Sequence, residues 1–132
     1  MGKLDEEPKP SGELVLQTLA LPRDTNSNGD IFGGWLLSQM DLAGAIAARE
    51  IAKGRVTTVA VGSMAFLRPV PVGSTVSCYC EILDVGRSSI KTIVEVWVKQ
   101  YDRNAQQKVT EGEFVYVAID NAGRTRPVPQ GE

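Results

Sequence analysis

Asp41 stands inside the stretch TNSNGDIFGGWLLSQMDLAGAIAARE, residues 25–50, with Met40, Leu42 and Ala43 around it. A buried, unpaired carboxylate costs several kcal/mol, so a carboxylate in this company needs either a partner or a chemical task. As a task, a positioned carboxylate serves as general base on water or as a nucleophile. The alternatives are a structural acid paired with an arginine or hydroxyl, and a surface acid on a helix less buried than its composition suggests. Seven residues upstream, Gly33-Gly34 opens the same apolar run. Free N–H groups at a helix start, reinforced by the dipole, stabilise negative charge developing on an oxygen. Glycine there lets a ligand approach without a Cβ in the way, although the pair also suits a tight loop-to-helix turn. A third cluster, Gly86-Arg87-Ser88-Ser89, joins a guanidinium to hydroxyl and backbone donors. That set suits a phosphate, while a charged turn residue is more commonly just solvated. Asn26 and Asn28, in a glycine-rich loop, read as turn-formers before they read as reacting groups.

What the chain lacks narrows the chemistry further. It has no histidine, so a Ser-His-Asp triad, a Cys-His pair and a His-ligated metal are all excluded. The expected chemistry is therefore independent of the serine-esterase arrangement, with no metal. Acid–base work near neutral pH falls to Asp, Glu, Lys, Tyr, Cys or water. Cys78 and Cys80, at i and i+2 of a strand, share a face with Cα atoms roughly 6.5 Å apart, a poor geometry for a disulfide; they read as small core residues. A net charge of −2 over 132 residues argues against a nucleic-acid partner, leaving room for a local basic spot. No apolar run approaches the ~20 residues of a membrane span. The first residues, MGKLDEEPKPSGE, lack the apolar core of a signal peptide and place Glu6 where a myristoylation signal takes Ser or Thr. The expectation is a cytoplasmic protein with no membrane partner.

The elements that must position these groups follow from periodicity. The length is that of one domain: residues 1–11 read as a flexible tail, 12–121 as the folded unit, and 122–132 as a C-terminal tail. A strand is expected over 13–21, then a loop, then a helix from Gly34 or Trp35 to about Lys53, ~28 Å long. The helix is apolar nearly all round, the mark of a buried one, and Lys53-Gly54 closes it with Gly54 as a left-handed stop. Period-two alternation with β-branched and aromatic residues predicts strands over 55–67, 74–86, 88–102 and 108–120. Short connections favour antiparallel pairing. The fold class is α+β, one long helix laid on a curved antiparallel sheet of about five strands. Ile93 and Trp97 leave the convex face apolar enough to want a neighbour, and the open sheet edges are a pairing hazard; both point to at least a dimer.

Four stretches carry a resemblance: LPRDTNSNGDIFGGWLLSQMDLAGAIAARE, VTTVAVGSMAFLRPVPVGSTV, VGRSSIKTIVEVWVK and FVYVAID. They cover nearly all of residues 13–126, and N-x-N-G-D-I-F-G-G-W followed by S-Q-M-D is long and specific. In them the chain resembles the hot-dog fold acyl-CoA thioesterases, most of all the bacterial YciA-type, related to the animal cytosolic acyl-CoA hydrolases. The resemblance implies hydrolysis of acyl-CoA to free acid and coenzyme A, with no cofactor beyond the substrate's own coenzyme A. It makes Asp41 the catalytic carboxylate and Gly33 and Gly34 the source of a backbone N–H that polarises the thioester carbonyl. Val59, Ala60 and Val61 would line the pantetheine path, and Arg87, Ser88, Ser89 and Ile90 would meet the nucleotide end. Active sites would lie where two subunits join edge to edge, the dimers assembling further as trimers of dimers. Asp41 lies ~10 Å from Gly34 along the helix, so two subunits facing each other would bring helix start and carboxylate to one thioester. There is a departure: Phe32 stands where many such enzymes have the histidine of His-Gly-Gly. It leaves Asp30 either capping the helix or touching the site, with Asn26 as a further possible site residue. The rival readings are a non-catalytic acyl-CoA-binding or sensing module, and a hydratase or dehydratase of the same fold, which would pair its acid with a histidine.

Overall fold

The structure, a computed structural model, describes residues 9–130; the first eight residues of the expected N-terminal tail lie outside them. The elements run β1 (Glu13–Leu19), a single 3-10 turn (Pro22–Asp24), α1 (Gly33–Ala52), β2 (Val56–Val61), β3 (Thr75–Val85), β4 (Ser89–Lys99) and β5 (Gln107–Ala118). All neighbouring strands are antiparallel, in the order β1-β3-β4-β5-β2. The chain thus crosses from β1 through α1 to the far edge of the sheet, and β1 and β2 are its two edges.

Alternation decides which face meets the helix. Val76, Cys78 and Cys80 of β3, Ile90, Val94 and Val96 of β4, and Phe114 and Tyr116 of β5 form one buried cluster with Leu36, Met40, Ala43, Ala48 and Ala52 of α1. The alanines bring the helix backbone close to the sheet, and each enclosed larger side chain contributes about 1.5–3 kcal/mol of apolar burial. The helix is not buried all round, however: Leu37, Leu42 and Ile46 stay exposed, as do Val59 and Val61 on the edge strand β2.

Three further expectations are corrected. The strand expected over 55–67 stops at Val61. Beyond it, Gly62 N–H still reaches Glu113 O and Leu67 N–H reaches Val109 O, while the Thr110 hydroxyl donates to Ala65 O; a side chain and isolated backbone bonds replace the ladder ahead of Arg68-Pro69. The left-handed residue closing α1 is Lys53 itself (φ 57°, ψ 41°), its N–H on Arg49 O at 2.8 Å. Gly54 follows it at φ 158°, beside the far end of the Arg126 side chain. Trp97 needs no neighbour: it is 3% exposed and donates Nε1–H to Glu95 Oε1 at 2.8 Å, and Glu95 is held in turn by Lys108 and the Ser11 N–H. Residues 122–130, in the expected C-terminal tail, pack back on the domain. Arg126 N–H bonds Ala118 O, Val128 N–H bonds Arg87 O at 2.7 Å, and Val128 is buried. Among the described residues, no helix is long and apolar enough to cross a membrane.

Candidate active site

The partners of Asp41 are hydroxyls. Its Oδ1 accepts from Thr58 Oγ1 at 2.8 Å and from the Tyr116 hydroxyl at 2.9 Å. The strand register makes this possible: Thr58 of β2 lies opposite Tyr116 of β5, both on the face turned to α1. No lysine or arginine pairs with Asp41 among the described residues, and no hydrogen bond engages its Oδ2. Asp41 is half-buried, so the arrangement is a fixed carboxylate with one oxygen held and the other reachable. Tyr116 is fully buried. Burial, then the hydrogen bond to Asp41 and the charge on it, push the phenol well above its ordinary value, so it serves as a proton donor in the hydrogen bond across the working pH range. Val59, which adjoins Thr58, is the extra residue of a bulge in the β2–β5 ladder, a feature common beside active sites.

The other end of the site is the start of α1. Phe32 is its N-cap, in extended conformation (φ −60°, ψ 137°) and without a side-chain cap. Asp30 therefore does not cap the helix; its N–H and that of Asn28 donate to Asn26 Oδ1, which makes Asn26 the organiser of the turn. The N–H groups of Gly33 and Gly34 have no acceptor among the described residues, as expected for a first helical turn. Both glycines border an apolar cavity of about 310 Å³ with Leu37, Val61, Met64 and Phe66. Asn26 and Asp30 border a neighbouring cleft of about 350 Å³ that shares Gly33 and Phe66.

The turn between β3 and β4 sits at the opposite end of β2, where Ser88 O accepts the Ala118 N–H and Val56 lies opposite Ala118. Arg87 is exposed there, and its carbonyl is tied down by Val128. Ile90 is fully buried against α1, so its side chain belongs to the core and not to a ligand surface. Along one edge strand, then, lie the Arg87 turn near Val56, the carboxylate at Thr58, and the glycine cavity at Val61.

Residues 28–103 match the model of the thioesterase superfamily. The chain belongs to that superfamily. Over 123 residues it is 57% identical to the acyl-CoA thioester hydrolase YciA of Salmonella typhimurium, covering 91% of this chain and 92% of the relative. The crystal structure of the hexameric thioesterase y2039 from Yersinia pestis superposes with a TM-score of 0.89 at 57% identity, covering 93% of this chain and 100% of that one. A hexameric hotdog fold thioesterase of Campylobacter jejuni, Cj0915, gives 0.85 at 42% identity, covering 89% and 91%. The α+β hot-dog architecture expected from the sequence is the one observed.

Two spacings separate the glycine turn from the carboxylate. Gly34 to Asp41 is seven helical residues, about 10 Å of rise. Thr58 to Val61 is three strand residues, again about 10 Å. Within one chain the helix start and Asp41 thus stand about 10 Å apart along both elements. Thr58 and Tyr116 were not found from the sequence; the available signal was Gly44, one turn beyond Asp41, where a Cβ would lie 2.3 Å from the Tyr116 hydroxyl oxygen. Cys78 and Cys80 are buried free thiols, each pushed up to about 12 by burial, too high to act as nucleophiles.

Proposed function

We propose that this chain hydrolyses acyl-coenzyme A to the free acid and coenzyme A, with Asp41 as general base. The observation that carries the proposal is the carboxylate held through Oδ1 by two hydroxyls and left without a cation or a partner on Oδ2. Oδ2 takes a proton from water as the water oxygen bonds to the thioester carbon. Gly33 and Gly34 N–H groups receive the charge on the carbonyl oxygen. The C–S bond then breaks, and the thiolate of coenzyme A takes up the proton held by Asp41. Direct attack by Asp41 is disfavoured: the intermediate would have to expel a thiolate, pKa near 8.5, in preference to a carboxylate near 4, against about 6 kcal/mol of basicity difference.

The division of the site between helix start and carboxylate supports a second copy as its other half. Edge strand β2 is unpaired on its outer side, and Val59, Val61, Leu37, Leu42 and Ile46 are exposed. Pairing of two copies along this edge, with three such dimers forming the hexamer named for the relatives, places the helix start of one copy opposite Asp41 of the other. Arg87, Ser88 and Ser89 suit the phosphates of coenzyme A, Val59, Ala60 and Val61 its pantetheine arm, and the 310 Å³ cavity the acyl chain. A cytoplasmic setting, where acyl-CoA is made and used, is part of the same reading. The test is free-thiol release from acyl-CoAs of two to sixteen carbons. Turnover of at least one supports the proposal; binding of acyl-CoA with no turnover overturns it in favour of a sensing module.

A further inference from the structure

We infer that Tyr116 is a positioning residue for Asp41, and that Gly44 exists in α1 to let it reach the carboxylate. The inference rests on the reading of Asp41 as the reacting group. The Tyr116 hydroxyl lies 2.9 Å from Asp41 Oδ1 and 2.9 Å from Asp41 O, which share its single proton. It thereby ties the side chain of Asp41 to the backbone of its own helix turn, fixing the rotamer that leaves Oδ2 free. Thr58 alone, on an exposed edge strand, gives one contact from one direction. Tyr116 gives the other from the core side, where its ring stacks against Phe114.

The geometry requires a residue without a Cβ at position 44. A Cβ there would lie 2.3 Å from the hydroxyl oxygen and 3.0 Å from two ring carbons of Tyr116. Gly44 has no left-handed backbone to explain it, and a glycine in mid-helix costs about 1 kcal/mol relative to alanine. The glycine therefore serves the phenol. A phenylalanine at 116 would fill the same core volume, so packing accounts for the ring and its 3.0 Å approach to residue 44, but not for the hydroxyl, which makes the closest approach at 2.3 Å.

The experiment compares wild type, Tyr116→Phe, Gly44→Ala, their double variant and Asp41→Asn in the full-length protein. It measures kcat and KM on one acyl-CoA, with the thermal midpoint of each variant. Tyr116→Phe is expected to lower kcat about tenfold or more, as for loss of a hydrogen bond to a charged group, with KM within about twofold. Gly44→Ala should do the same by displacing the hydroxyl, and should cost less in the Tyr116→Phe background than in wild type. A purely packing role predicts lower thermal stability with kcat unchanged, and that result overturns the inference. If Asp41→Asn is inactive while Tyr116→Phe matches wild type, the inference alone falls; if Asp41→Asn turns over normally, the functional reading falls with it.

Discussion

Subunit complementation probes the division of the site. Two variants each disable one half. Asp41→Asn removes the proposed base. Gly34→Pro removes one helix-start N–H. Residue 34 is in the first turn of α1, its N–H has no acceptor, and nothing lies within 4 Å of a Cβ built there, so proline is tolerated. Loss of one such donor lowers the rate about 10²–10³-fold, and loss of a general base about 10²–10⁴-fold. Each variant alone should therefore run at about 1% of wild type or below. After equal amounts are dissociated and reassociated, half the dimers are mixed. Every mixed dimer has one site with both halves intact and one with neither. Activity should recover to about one quarter of wild type, the value set by random two-fold pairing. Free-thiol release before and after exchange, with native mass spectrometry to verify mixing, gives the answer. If verified mixing leaves the rate at the mean of the two variants, each chain houses a whole site and the 10 Å argument is wrong.

Arg87→Ala should raise KM for acyl-CoA by about tenfold, in line with loss of a charge-assisted contact, without changing kcat. It should leave turnover of a truncated thioester lacking the nucleotide unaffected; equal losses on both substrates would remove Arg87 from nucleotide binding. Cys78 and Cys80 are raised from 9.0 to about 12, so their contribution is fully present below pH 9 and is lost as pH rises toward 12, where the unfolded thiols ionise first. Thermal midpoints should fall steadily above pH 9, and both thiols should resist alkylation at pH 8 until the protein unfolds. Rapid labelling in the native state would contradict their placement in the core.

The order of elements, the antiparallel sheet and the mid-helix carboxylate were legible because each rests on local periodicity. The sheet order was not: nothing in VTTVAV says that β2 pairs with β5 at the far edge, a pairing of residues nearly sixty positions apart. The partners of Asp41 follow from that pairing, so Thr58 looked like any strand threonine and Tyr116 like any core aromatic. Gly44 stands among several alanines of α1, yet among the described glycines it alone has a Cβ position occupied by the Tyr116 hydroxyl. Ile90 was drawn toward the ligand by its neighbours Arg87, Ser88 and Ser89, yet alternation along β4 turns it inward with Val94 and Val96. Trp97 looked like an uncovered aromatic because its partner Glu95, two residues away, is a charged side chain that sequence reading assigns to solvent. The buried Glu95, held by Lys108 and Trp97 Nε1–H, reverses that assignment.

The most direct test of the account is kcat of Asp41→Asn for free-thiol release, on protein whose fold and assembly match wild type. The substitution keeps the shape that Thr58 and Tyr116 hold and removes only the basic oxygen. The account predicts a fall of a hundredfold or more. A variant that releases thiol at the wild-type rate would contradict it.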